Sequence, residues 1–177
     1  GGGMFLTNKK KIFQKARLIA STSKVGPNYD HSMVSYNFRM SNIQAAVGLA
    51  QLENIKEIIK NKRMISERFD KAFNFHKNTL AIPKPKFSKT NFWIYPIRIT
   101  KNKNQIMKQI LESGIGCSNF WKPIHLQKPY KDCMRSSQII SERIWNNIII
   151  LPNYASMKKI EIEYVINNVE KALSRNL

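Results

Sequence analysis

YNFRMSNIQAAVGLAQLENI, residues 36–55, is the stretch on which the organisation of the chain turns. Ser41 followed three residues later by Gln44 is the S-x-x-Q form of a capping box, which marks a helix start. Beyond it Ile43, Val47, Ala50, Ile55, Ile58, Ile59, Ile65, Phe69 and Ala72 recur every three or four residues with small slips. That spacing predicts one long amphipathic helix from the Ser41 cap to about His76. Gly48 costs such a helix roughly 1 kcal/mol relative to Ala, and close packing of another backbone against it would offset that cost. Pro83 and Pro85 then exclude helix and mark a connector.

Outward from this helix the pattern alternates between strand and helix. In NFWIYPIRI (91–99) Trp93, Tyr95, Ile97 and Ile99 fall on one face of a strand, with Pro96 indicating an edge or a bulge. Asn104–Ser113 reads as a helix ended by Gly114, Ile115–Phe120 as a second strand, and WKPIHLQKPYKDC (121–133) as a loop. Ser136–Asn146 reads as helix and Ile148–Leu151 as a buried strand. Met157–Leu173 reads as a terminal helix with Ile160, Tyr164, Val165, Val169 and Leu173 turned inward. Upstream, GGGMFLTN (1–8) predicts a turn and a short strand at Met4–Thr7, then a helix near Lys10–Ala20 and a turn-rich loop around Gly26-Pro27. The predicted class is α/β: a small sheet of three or four strands with helices packed on it, and a long connecting helix.

Composition removes several functions. Lys and Arg number 30 against 11 Asp and Glu, for a formal charge of +19. Such an excess suits nucleic acid, an anionic membrane or a phosphorylated substrate, and it equally fits drift in a chain rich in Lys, Asn and Ile. The basic residues are scattered, with Lys9–Lys11 the one run of three, and no basic stripe with interleaved aromatics points to nucleic acid. Cys117 and Cys133 are too few for a disulfide framework and lack metal-ligand spacing. No stretch approaches the roughly 20 apolar residues of a membrane span, and no apolar signal region opens the chain. The expectation is a soluble cytoplasmic protein without metal, membrane or nucleic-acid partner.

Candidate site residues are few. Asn37 and Arg39 precede the capped helix, whose free N–H groups and partial positive charge suit a phosphate, and an Arg fork can hold one bidentately. The residues alone leave a second reading open, in which Asn37 holds a turn and Arg39 pairs with an acid. His125, between Pro123 and Pro129 and beside Trp121 and Tyr130, lies on a stiff aromatic loop of the kind that contacts ligands, or else it simply packs there. His76, near the helix end, reads as a solvated or capping residue.

Several segments together resemble one family. Tyr36-Asn37-Phe38-Arg39-Met40, Gln44-Ala45-Ala46 and Gln51-Leu52 resemble a signature of the DegT/DnrJ/EryC1/StrS family of PLP-dependent sugar-nucleotide aminotransferases. GGGMFLTN (1–8), KPIHLQKPY (122–130) and ILPNYASMKKIEIEYVINNVEKAL (150–173) resemble its later segments in the same order. The resemblance, perosamine synthetase-like, implies the C-terminal portion of a fold-type I aminotransferase. Residues 1–35 would be a remnant of the large PLP-binding domain, 36–78 an interface loop and long helix, and 79–177 the small C-terminal domain. It implies contact of Asn37 with the PLP phosphate, and of Arg39 and His125 with the substrate. In the family the Schiff-base lysine precedes the Gly-Gly-Met strand, so no catalytic residue is assigned here and this polypeptide alone is expected to be inactive. The implied partners are a second copy in a homodimer or a separately encoded N-terminal half, with glutamate and a nucleotide sugar as substrates. A non-catalytic oligomerisation module derived from the family is the alternative.

Overall fold

The structure, a computed structural model, describes residues 2–84 and 86–176. Gly1 of the opening glycine cluster and Pro85 of the connector lie outside the described residues. The chain forms two compact units, Gly1–Ile55 and Lys56–Leu177. Their boundary falls within the segment expected to be one interface loop and helix.

The first unit holds α1 (Lys10–Ala20), a two-residue antiparallel ribbon of β1 (Lys24–Val25) and β2 (Asp30–His31), and α2 (Asn42–Glu53). α1 matches its predicted span. The strand expected at Met4–Thr7 is absent, and those residues are irregular, with no neighbouring strand to satisfy their backbone. The loop around Gly26-Pro27 instead contains the ribbon, turned by Gly26 at φ +67 and Tyr29 at φ +60. Among the described residues no hydrophobic side chain of this unit is buried.

The single long helix is interrupted. α2 ends at Asn54, whose side-chain amide donates to the Ala50 carbonyl at 2.9 Å, and α3 runs from Ile55 to Phe73. An Asn side chain competes for helix carbonyls in this way, and periodicity of apolar residues does not register it. A Cβ added at Gly48 would meet open space, so no backbone packs against it among the described residues.

The second unit is a four-stranded antiparallel sheet in the order β3-β4-β6-β5. The strands are β3 (Thr79–Leu80), β4 (Tyr95–Ile99), β5 (Ser118–Asn119) and β6 (Ile148–Leu151). Tyr95, Ile97 and Ile99 alternate inward, joined by Ile149 and Leu151 of β6. α4 (Lys103–Glu112) and α6 (Lys159–Ser174) complete the core with Ile106, Ile110, Ile162, Val165, Val169 and Leu173, while α3 adds Ile65, Phe69 and Phe73. α5 (Ile139–Asn146) buries none of its residues.

Pro96 sits inside the sheet, paired with Ile150 of β6. The Ile99 N–H points to that side, donating to Asn147, so by alternation the proline nitrogen faces the other way. There β3 reaches only Leu80, opposite Arg98, and asks nothing of position 96. The edge signature was therefore local. α4 ends in a Schellman motif: Ile115 N–H donates to Ile110 O, Gly114 N–H to Leu111 O, and Gly114 takes φ +77.

Other expectations need correction. Trp93 lies ahead of β4 and is 67% exposed rather than inward. The strand expected at Ile115–Phe120 shrinks to two residues, and α5 starts three residues late. In α6, Ile160 and Tyr164 are exposed, and Ile162 and Ala172 take the inward places, because the buried stripe of Ile162, Val165, Val169, Ala172 and Leu173 leaves Ile160 and Tyr164 on the opposite side of the helix.

Candidate functional site

In the first unit, backbone bonds pin the Asn37 segment to the end of α1. Thr22 N–H donates to Tyr36 O at 3.1 Å, Phe38 N–H donates to Ala20 O at 2.9 Å, and Ser21 and Asn37 form an antiparallel bridge. The Asn37 side-chain oxygen accepts from the Arg39 N–H at 3.3 Å, an Asx turn that leads the chain into α2. The capping box is complete: Ser41 Oγ accepts from Gln44 N–H, and the Gln44 side chain accepts from Ser41 N–H at 2.9 Å. Asn37 thus does hold a turn, with its oxygen. Among the described residues its NH2 group stays unengaged and Arg39 makes no ion pair, and both residues are exposed. An amide NH2, a guanidinium and the first turn of a helix are donors that fit a phosphate such as that of PLP.

In the second unit, two 3₁₀ turns, Ile124–Leu126 and Lys128–Tyr130, stiffen the proline-rich loop. His125 is held there, its side chain only 12% exposed and its Nε2 donating to Glu142 Oε1 of α5 at 2.9 Å. Arg135 donates to the His125 carbonyl at 3.1 Å and Gln127 to that of Lys122 at 3.3 Å. The loop is a preformed structure, with Trp121 and Tyr130 exposed on it. His76, as expected near a helix end, accepts from the Asn78 N–H at 3.1 Å and lies 3.3 Å from Ser174 Oγ.

Three features of this unit escaped the sequence. Trp93 and Trp121 stack with centroids 5.2 Å apart at 18°, a pairing between residues whose separation carries no pattern. A cavity of about 520 Å³ opens among Phe73, Leu80, Phe92, Tyr95 and Phe120, with Asp70 at its wall. There the Tyr95 hydroxyl donates to Asp70 at 3.0 Å, and Lys84 pairs with the same carboxylate. Burial, then the Asp70 charge and its hydrogen bond, push the Tyr95 phenol well above its ordinary value. Third, the Lys62 ammonium reaches the carbonyls of Phe92, Trp93 and Asn153, and burial lowers its pKa. Burial likewise raises the Cys117 thiol. Among the described residues no three His, Cys, Asp or Glu side chains gather as metal ligands, and no helix is long and apolar enough to cross a membrane.

The fold is similar to part of that of solved aminotransferases. An aminotransferase, TlmJ, from Streptoalloteichus hindustanus superposes with a TM-score of 0.83 at 19% identity, over 95% of this chain and 46% of that one. The profile of the DegT/DnrJ/EryC1/StrS aminotransferase family matches residues 1–170, and the chain belongs to that family. GDP-perosamine synthase of Caulobacter vibrioides is 29% identical across 97% of the chain and 48% of its own length. UDP-4-amino-4,6-dideoxy-N-acetyl-beta-L-altrosamine transaminase of Campylobacter jejuni is 22% identical across 98% and 48%. The chain spans about half the length of the curated relatives it matches.

Proposed function

We propose that the chain is the C-terminal part of a PLP-dependent aminotransferase that moves an amino group, from glutamate, to a keto-sugar nucleotide in amino-sugar or surface-polysaccharide synthesis. The family match across residues 1–170 carries the reading. The phosphate-compatible donors at Asn37, Arg39 and the start of α2 support it. PLP, when bound, would supply the electron sink for amino transfer. Asn37 would hold its phosphate through the side-chain NH2, with its oxygen keeping the Asx turn. Arg39 would face the anionic sugar nucleotide. His125, fixed by Glu142, would shape the substrate side of its loop.

The 177 residues correspond to about half the length of relatives named as a synthase and a transaminase, and by themselves they are expected to turn over no substrate. The partner that completes the site would be a second copy or a separate N-terminal half. The uncovered apolar residues of the first unit favour such an association, and they also favour the second reading, a non-catalytic oligomerisation module. Two assays separate these. The chain mixed with PLP and reduced with borohydride is expected to show scattered lysine labelling or none, whereas one specifically modified lysine would make it self-sufficient. Co-expressed with its flanking coding sequence, it is expected to transfer nitrogen from labelled glutamate to keto-sugar nucleotides. Assembly without transfer would leave the interaction module.

A further inference from the structure

We propose that Trp93 and Trp121 form a stacking platform for the nucleobase of the sugar nucleotide, a site that deepens the proposed function and rests on it. Both indoles are strongly exposed, 67% and 55%, yet they lie in ordered register with one another at 5.2 Å and 18°. Phe120 buttresses Trp121 edge-on, at 5.2 Å and 78°.

The backbones beneath the two rings are fastened, and the rings themselves rest on each other and on Phe120. Asn91 Oδ1 accepts from the Trp93 N–H at 3.1 Å. The Phe92 and Trp93 carbonyls accept from Lys62 at 3.4 and 3.1 Å, and Asn153 donates to Phe92 at 3.1 Å. Phe92 itself takes φ +50, a left-handed conformation that an aromatic residue keeps only when its surroundings over-determine it. On the other side the Trp145 indole donates to the Phe120 carbonyl at 2.8 Å, fixing the residue before Trp121. Two loops are thus held by polar bonds and strain in a position that leaves large apolar rings in water.

The occupant follows from shape and chemistry. The stacked pair leaves an outer indole face about the size of one heterocycle, far below the roughly 800 Å² per partner of a stable protein interface. A planar base stacks on such a surface whatever its hydrogen-bonding edge, because every base has a π face. That tolerance suits a family whose members include one relative named for a GDP sugar and another for a UDP sugar. Lys122, exposed and next to Trp121, supplies positive charge for the diphosphate that follows the base.

The test is calorimetric titration of the 177-residue chain with GDP and with UDP, alongside tryptophan fluorescence. Both nucleotides are expected to bind and to quench emission. Trp121→Ala and Trp93→Ala are each expected to weaken both by about ten-fold or more, while Trp121→Phe stays within about three-fold. Ribose 5-phosphate, which lacks a base, is expected to bind the parent and Trp121→Ala alike. Circular dichroism and the thermal transition show whether each variant folds, and Trp121→Phe keeps the comparison valid if an alanine variant does not. Unchanged affinity in folded alanine variants overturns the platform and leaves the sugar-nucleotide reading standing. Failure of the parent to bind either nucleotide also overturns the platform, and the nitrogen-transfer assay then judges the aminotransferase reading separately.

Discussion

The two units of this chain are built on opposite terms. Among the described residues every buried hydrophobic side chain, from Ile65 to Leu173, belongs to the second unit, and none belongs to the first. The first unit has helices, a complete capping box and a backbone-pinned loop, yet Phe5, Leu6, Phe38, Ile43 and Val47 lie exposed. Its conformation is specified by local devices, and that of the second unit by tertiary packing. Isolated short helices are marginal in water, so the proposed association would add more to the first unit than to the second.

The largest test of that contrast is a pair of Phe deletions. Phe69 is fully buried and packs on Phe73 at 5.7 Å and on Tyr95 at 5.0 Å. Phe69→Ala is expected to cost about 3–5 kcal/mol in urea unfolding, through lost burial and a cavity. Phe5→Ala is expected to change the same transition by less than about 0.5 kcal/mol. Comparable costs at the two positions would mean that the first unit has a core of its own in solution.

Association comes next. If the bare faces of the first unit are the proposed interface, Ile43→Lys with Val47→Lys is expected to shift the chain from assembled to monomeric species in sedimentation velocity. The unfolding transition of the second unit should stay where it was. An unchanged sedimentation profile would remove the interface from α2.

A pH test concerns the second unit alone. Tyr95 stays protonated in the folded chain above the pH at which the unfolded chain releases that proton, near its ordinary value of about 10. Its contribution is therefore complete below about pH 10 and is lost as pH rises beyond it. Tyr95→Phe is expected to flatten the alkaline fall in urea midpoint relative to the parent. Parallel curves for the two proteins would assign that fall to other groups.

What could be read from the sequence divides along the same line. The capping box at Ser41 and Gln44, the Gly114 helix stop, α1 and β6 were legible because short patterns carry them. The turn at Asn37 was legible as one of two readings, and the structure shows its oxygen in the turn and its NH2 unengaged. Long-range features were not legible. The Trp93–Trp121 stack joins two loops, and the Lys62 contact with the Asn153 carbonyl spans 91 residues. Asn78 is buried, its amide donating to the Asn176 carbonyl at 3.2 Å and its oxygen accepting from Thr100 and from the Lys101 N–H, and no short pattern in the sequence marks it. Polar residues satisfied by distant partners have no local signature, and such bonds are what place the loops that carry candidate site residues.

The smallest expected effects make the sharpest comparison, because they place similar local defects in both units. Ser41→Ala removes the acceptor for the Gln44 N–H, at a cost of about 1 kcal/mol to α2. Gly114→Ala keeps open space around the new Cβ but forces it into φ +77, at about 1–2 kcal/mol. In the second unit the helix stop is tied to the core through Ile110 and Ile115, both buried, so Gly114→Ala should lower the midpoint of the whole cooperative transition. In the first unit no buried apolar contact among the described residues ties α2 to a core. Ser41→Ala should therefore leave that midpoint alone and appear as faster amide exchange confined to residues 42–53. A global shift from Ser41→Ala would show that the capped helix is energetically coupled to the second unit, and the contrast between local and tertiary specification would fail at the point where the candidate phosphate site begins.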